Sequence, residues 1–469
     1  MGHHARIIVP LVLALVAASC GSDDEGSGPG QQPGDTTAAP TGSTPDGSES
    51  DHSEPDSAGP DESDPDGSTE AIGLIAVPDR RPAAASPDVA GQAITAFGYD
   101  VLAASGQRVG AGDNMIVSPL SIAIALGMME PGATGEAQQQ LHDLLRIDDP
   151  TAWHASMSAL EQDLEARQAE LLVEGEPDEQ DPGEFHANIA NAAFLQPGYP
   201  FLATYLDTIG TNYGAVLEEL DFAVDQAAAA DRINEFIADA TEDRITDLVH
   251  ESDIEVDTVL ALVNALLLCA SWQNEFDADA TADDEFARID GSTITVPFMD
   301  GAGDVSGRGD GWVAATKRLV GNVSLQVVLP DEGRFDDVAA RVDEVIDEYQ
   351  RTATDGGRLV MPTFETRVNV ELTDVLVDLG LTAPFELGNL LGIADDPRLV
   401  LDRALHETWL AIDETGIEAA AATVILMGAV SAPVTEPVPV VLDRPFVLRI
   451  VDDVSGATLF AGRIMDPSA

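Results

Sequence analysis

Eleven residues near the C-terminal end, Asp413-Glu-Thr-Gly-Ile-Glu-Ala-Ala-Ala-Ala-Thr423, constrain this chain more than any other stretch. An acidic turn at Gly416 leads into Ala419 to Ala422 and then into Val424, Ile425, Leu426 and Met427. Alanine favours helix, whereas valine and isoleucine favour strand. That ambivalence suits a segment that is loop in one state and strand in another. Small side chains would also let its backbone slide between two existing strands without clash. An Ala-rich helix end is the plainer alternative, and these residues alone leave it open.

Charge removes several function classes. The 469 residues carry 84 Asp and Glu against 22 Lys and Arg, a formal net charge of −62. Phosphate contacts need clustered Lys and Arg, so nucleic acid is not a partner the sequence points to. An anionic membrane surface is excluded on the same ground. Lys317 is the sole lysine. Acidic excess with scarce lysine suits solubility in salt, where self-repulsion is screened. The sequence shows no Gly-x-Ser-x-Gly elbow, HExxH helix, phosphate-binding loop or metal-spaced Cys/His cluster. It therefore offers no catalytic or metal-ligating residues and implies no cofactor; the expectation is a protein that is not an enzyme. Arg308-Gly-Asp310 matches an integrin-type tripeptide and reads simply as loop.

The N-terminus has the features of an export leader. Arg6 supplies positive charge, and the apolar run Ile7 to Ala18 is too short to span a bilayer stably. It closes on Ala17-Ala18-Ser19-Cys20-Gly21. This is similar to a bacterial lipobox, with Ala17 where leucine is commoner. The similarity implies cleavage before Cys20, lipidation of Cys20, and tethering outside the cytoplasm by acyl chains and not by a spanning helix. Ordinary signal cleavage and secretion is the alternative. Gly21 to Glu70 carries fourteen acidic residues, no Lys or Arg and almost no large apolar side chain. Such a segment cannot offset its chain entropy and reads as a disordered linker with a root-mean-square span of about 40 Å. The expected organisation is a leader over 1–19, lipidated cysteine and linker over 20–70, a transition over 71–92 and one folded domain over 93–469. Cys269, in the apolar run Val259 to Ala270, reads as a buried apolar side chain.

Within the domain, spacing predicts helices over Ala93–Ala104, over Leu120–Met129 with Ser118-Pro119 as its start, and after Thr134. Further helices are predicted over Asp231–Ile237 and Asp336–Glu348. Ala187–Leu195, Val259–Ala270 and Val323–Leu329 read as strands. Helices dominate the first half and strands the second, which argues an α+β fold.

In this order the segments resemble the serpin family over residues 93–469. The resemblance is carried by Asn114-Met-Ile-Val-Ser-Pro-Leu-Ser121, Asn191-Ala-Ala-Phe194, Ile233-Asn-Glu-Phe236 and Thr241 to Val249. It continues through Leu262-Val-Asn-Ala265 with Trp272 and Phe276, Leu329-Pro-Asp-Glu-Gly333, Asp443-Arg-Pro-Phe446 and Leu459-Phe-Ala-Gly-Arg463. It implies three sheets, eight or nine helices and an exposed reactive-centre loop. It also implies a polar cluster of Ser118, Ser121, Asn264 and His406 where the strands of the main sheet part, with Trp272 at the top of the parting seam. His406 is read as a hydrogen-bonded core histidine and not a catalyst. The hinge matches Glu414, Gly416, Ile417, Glu418, Ala419, Ala420, Ala421, Ala422 and Thr423. Ile417 is bulkier than the Thr or Ser usual there. Thr363 stands where a Lys or Arg often faces the acid matched by Glu414, so that salt bridge is expected to be absent or replaced.

The resemblance implies a suicide-substrate inhibitor. Serpin loop insertion is a known instance of strand addition and of strain released by proteolysis. A serine protease, held as a covalent acyl complex, is the implied partner of a monomeric protein. Loop length places the reactive bond at Val430-Ser431. A small apolar residue before the bond suits elastase-like or subtilisin-like enzymes and not trypsin-like ones. Pro433, Pro437 and Pro439 keep the far side extended. The acidic region Leu164 to Glu184 gives no footing for glycosaminoglycan. The alternative is a non-inhibitory member serving as an extracellular binding or carrier module.

Overall fold

The computed structural model of the chain describes residues 9–19, 80, 85–174, 183–417 and 438–469. One compact unit comprises Met1–Ser22 with Gly73–Ala469, and Asp23–Ile72 is a separate unit. The latter, with the linker expected there, lies outside the described residues.

Among the described residues there are nine α-helices and three sheets, a mixed α+β architecture. The main sheet contains β1 (Val9–Ser19), β2 (Phe185–Leu195), β3 (Val216–Glu219), β4 (Leu260–Ser271), β5 (Phe364–Glu371), β6 (Leu399–Ile412) and β7 (Gly416–Ile417). Its order is β5–β6–β1–β4–β2–β3, with β7 pairing to one end of β4. A second sheet of seven strands includes Val305–Gly309, Trp312–Leu319, Val323–Pro330 and the C-terminal pair Phe446–Asp452 and Thr458–Ile464. A third, of four strands, is built from Ala282–Ala287, Thr293–Ala302, Arg358–Pro362 and Pro439–Val441.

The unbroken apolar run of β4 follows from its position. All twelve of its residues are buried, because both faces of the sheet are covered. Leu260, Leu262, Leu266, Leu268 and Ala270 pack into the large core with α1 (Asp88–Gly106) and α2 (Pro119–Met129). Ala261, Val263, Ala265, Leu267 and Cys269 pack on the other face with Ile233 and Ile237 of the helix Gln226–Ala240.

Val9–Ser19, read as a leader, forms β1 in the middle of the main sheet, parallel to both β4 and β6. The physical reason lies in its composition: β-branched Val9, Val12 and Val16 alternate with leucines and alanines, and both faces of the slot are apolar. Leu11, Leu13 and Leu15 enter the large core, and Val12, Ala14 and Val16 the opposite one. Cys269 is buried in the second core as read, and it is also disulfide-bonded. The helix predicted over 336–348 is two, Phe335–Ala339 and Val342–Thr352. Arg341, at φ −131°, interrupts them and donates to the Asp310 carbonyl at 2.8 Å. The Arg308-Gly-Asp tripeptide is no free loop: Arg308 and Gly309 end a strand, and Asp310 starts its hairpin turn.

The candidate strand-insertion site

The site is the seam between β4 and β6, closed below by α2 and above by the root of the loop. Ser118 begins α2 as its N-cap. Its hydroxyl accepts from the Ser121 amide at 3.2 Å and donates to the Leu459 carbonyl at 2.8 Å. Its own amide donates to His406 Nε2 at 3.0 Å. Nε2 also receives the Thr408 hydroxyl at 3.0 Å, so the ring proton belongs on Nδ1, which donates to the Leu15 carbonyl at 3.1 Å. Burial holds the imidazole neutral and lowers its pKa to about 4, against a smaller opposing effect of the Leu15 carbonyl. A neutral ring with all its hydrogen-bonding capacity used fits a core histidine.

The cluster runs on through the sheet. The Ser121 hydroxyl donates to Asn264 Oδ1 and faces the Val16 carbonyl at 3.2 Å. Asn264 Nδ2 donates to Asn191 Oδ1 at 2.9 Å, and Asn191 Nδ2 reaches Glu161 at 3.0 Å and the Tyr213 carbonyl at 2.9 Å. Arg80 closes the chain on Glu161 at 2.7 Å. Burial lifts the Glu161 pKa to about 7, although Arg80 and Asn191 favour its anion. Ser118, Ser121, Asn264 and His406 thus stand in one hydrogen-bonded chain. Asn191, Thr408 and Glu161 were not assigned to the cluster. A polar residue inside each apolar strand was the available signal, and Asn191 lies directly across from Asn264.

The β1 side of this cluster consists of backbone carbonyls, those of Leu15 and Val16. Any strand in the slot presents carbonyls. These contacts of the seam are to backbone and not to a side chain.

At the top of the seam the loop root is gripped. Trp272 donates its amide to the Thr415 carbonyl at 2.9 Å and its indole N–H to the Asp413 carbonyl at 2.9 Å. Phe276 donates its amide to the Glu414 carbonyl at 3.0 Å. The Asp413 carboxylate caps the turn through the amides of Thr415 and Gly416 at 2.7 and 3.1 Å. Gly416 and Ile417 then pair antiparallel with Ser271 and Ala270. Gly416 is required here, since a Cβ would stand 2.3 Å from the Ala270 carbonyl oxygen. Ile417 is buried in the large core, so its bulk is accommodated. The Glu414 carboxylate accepts from the Thr281 hydroxyl, so a hydroxyl serves where a salt bridge to position 363 was in question.

A family model described as serpin (serine protease inhibitor) matches residues 92–467. The chain belongs to the serpin family. It is 30% identical to alpha-1-antitrypsin of Meriones unguiculatus over 362 residues, 76% of this chain and 85% of that one. It is 29% identical to an uncharacterized serpin-like protein of Thermococcus kodakarensis over 386 residues, covering 80% and 85% of the two chains. In fold it is similar to human thyroxine-binding globulin, at a TM-score of 0.70 with 22% identity over 82% of this chain and all of that one. It is likewise similar to the thermophilic serpin tengpin in its native state, at 0.69 with 20% identity over 84% and 99%. The family consists in general of protease inhibitors and not of enzymes, and it has non-inhibitory members. In this serpin the seam and loop root are described, whereas Glu418, Ala419, Ala420, Ala421, Ala422, Thr423, Val430, Ser431 and Cys20 lie outside the described residues.

Proposed function

We propose that this serpin is a suicide-substrate inhibitor of elastase-like or subtilisin-like serine proteases. Cleavage at Val430-Ser431 frees the loop, and residues after Ile417 enter the seam between β4 and β6 before the acyl-enzyme is hydrolysed. One observation carries the reading: a seam that holds a complete extra strand, with Gly416 and Ile417 already paired at its mouth. Continuing that pairing residue by residue would set Ala419 and Ala421 opposite Leu268 and Leu266, and Thr423 opposite Asn264. Directly opposed residues share a face of the sheet. Ala419 and Ala421 would then enter the large core, as Ile417 does.

The reading has a structural requirement. β1 fills the slot, and two strands cannot occupy it together. Removal of residues 1–19 as an export leader would clear it. We place the processed protein outside the cytoplasm, tethered through lipidated Cys20 and its linker.

The test is a panel of elastase-like, subtilisin-like and trypsin-like proteases with the processed protein. A denaturant-stable one-to-one adduct is expected with the first two classes. The released C-terminal fragment should begin at Ser431 or within about three residues of it, the uncertainty of counting along a loop. Cleavage near Arg444 by a trypsin-like enzyme with no adduct elsewhere would overturn the assignment and favour the carrier alternative. Membrane fractionation of Cys20→Ser tests the anchor, which is wrong if the variant stays equally membrane-bound.

A further inference from the structure

Lys317, the sole lysine of the chain, is not on the surface. It lies on Trp312–Leu319 of the second sheet and is 1% exposed. Its Nζ donates to the Ala302 carbonyl at 3.1 Å. It stands 4.2 Å from the centre of the Phe276 ring and 5.5 Å from that of Trp272. The two rings meet edge to face at 5.8 Å. Phe276 reaches this position over Gly301, where a Cβ would come within 2.7 Å of the ring. An ammonium so placed is stabilised by two aromatic faces. Trp272 and Phe276 are the same residues whose N–H groups hold the carbonyls of Asp413, Glu414 and Thr415.

We propose that Lys317 is a positioning residue of the loop root: its ammonium fixes Phe276 and Trp272 in the geometry that grips Asp413–Thr415, and so sets how readily the root opens. The consequence for inhibition rests on the insertion reading above; the grip itself does not. Burial lowers the Lys317 pKa to about 8, and Asp304 opposes this. The other charged groups on the packed elements are Asp300, Arg318, Glu275, Asp413 and Glu414. The Lys317 ammonium, packed against both rings, therefore loses its charge within the range pH 7–9.

The experiment is hydrogen exchange on the full chain at pH 7 and pH 9, read as protection of the Trp272 and Phe276 amides after correction for intrinsic rate. Wild type should lose about fivefold protection between the two pH values, equivalent to about 1 kcal/mol, the scale of a buried cation–aromatic contact. Lys317→Met should show that loss already at pH 7 and no further loss at pH 9. Lys317→Arg should stay protected at both. Wild-type protection unchanged between pH 7 and 9, or Lys317→Met as protected as wild type at pH 7, would overturn the proposal. Should Lys317→Met fail to fold, the wild-type series and Lys317→Arg decide. Isotope-labelled lysine gives a single ε-amine resonance. A midpoint near the ordinary value of about 10.4 would also overturn the proposal. No protease enters these measurements, so their failure and that of the inhibitor reading are separable.

Discussion

At the residue scale, Ser118, Ser121, Asn264 and His406 meet in the seam as uncharged, hydrogen-bonded groups. His406 is the clearest case. Its folded-state pKa of about 4 lies below its ordinary 6.5, so the unfolded chain binds the extra proton between these values. Stability from this group is therefore full above pH 6.5 and falls as pH drops towards 4. Glu161 acts oppositely: its pKa is raised from 4.5 to about 7, so its contribution falls as pH rises through that window. Comparing wild type with His406→Gln in urea cancels the Glu161 part. The variant should be less stable at pH 7, and the gap should shrink by a few kcal/mol on acidification from 6.5 to 4. A gap that does not change with pH would mean the imidazole is not held neutral by burial. Gly416→Ala should break the pairing at Ser271, since overpacking against backbone costs about 1–3 kcal/mol. Lowered protection of the Ser271 amide would report it.

At the element scale, β1 occupies the slot between β4 and β6. Burying Leu11, Val12, Leu13, Leu15 and Val16 stabilises β1 by about 2 kcal/mol per side chain. Ordering its eleven residues costs about 1–2 kcal/mol each. Side-chain burial offsets part of the chain entropy, and main-chain pairing to β4 and β6 supplies further stabilisation. The full chain should therefore be cut in its loop as a plain substrate, whereas the chain beginning at Cys20 should form adducts. Equal adduct yields from both would show that β1 does not compete for the slot. Much of this element-level picture was legible in sequence. The continuous apolar run of β4 marked a strand buried on both faces, and Ser118-Pro119 marked the start of α2. The role of β1 was not legible. A short apolar run carries no mark of a sheet position, and its partners in β4 and β6 lie hundreds of residues along the chain. Asn191 escaped assignment for a related reason: its partner Asn264 lies 73 positions away in sequence, and only strand register brings them together.

At the scale of the whole molecule, the charge of −62 sets the response to salt. Exposed ion pairs such as Arg358–Asp300 are weakened by solvent screening, and so few cations cannot neutralise the acidic excess. Screening should thus relieve more repulsion than it removes attraction, and the melting temperature should rise steadily with potassium chloride. A fall would mean that the ion pairs dominate. The central claim concerns the seam, and the most direct measurement is thermal melting of the processed chain before and after cleavage within the loop. Insertion between β4 and β6 predicts a marked rise in melting temperature on cleavage, and Ala421→Glu, which would bury an unpaired charge, should abolish most of it. Identical melting of cut and uncut wild-type protein would contradict the account.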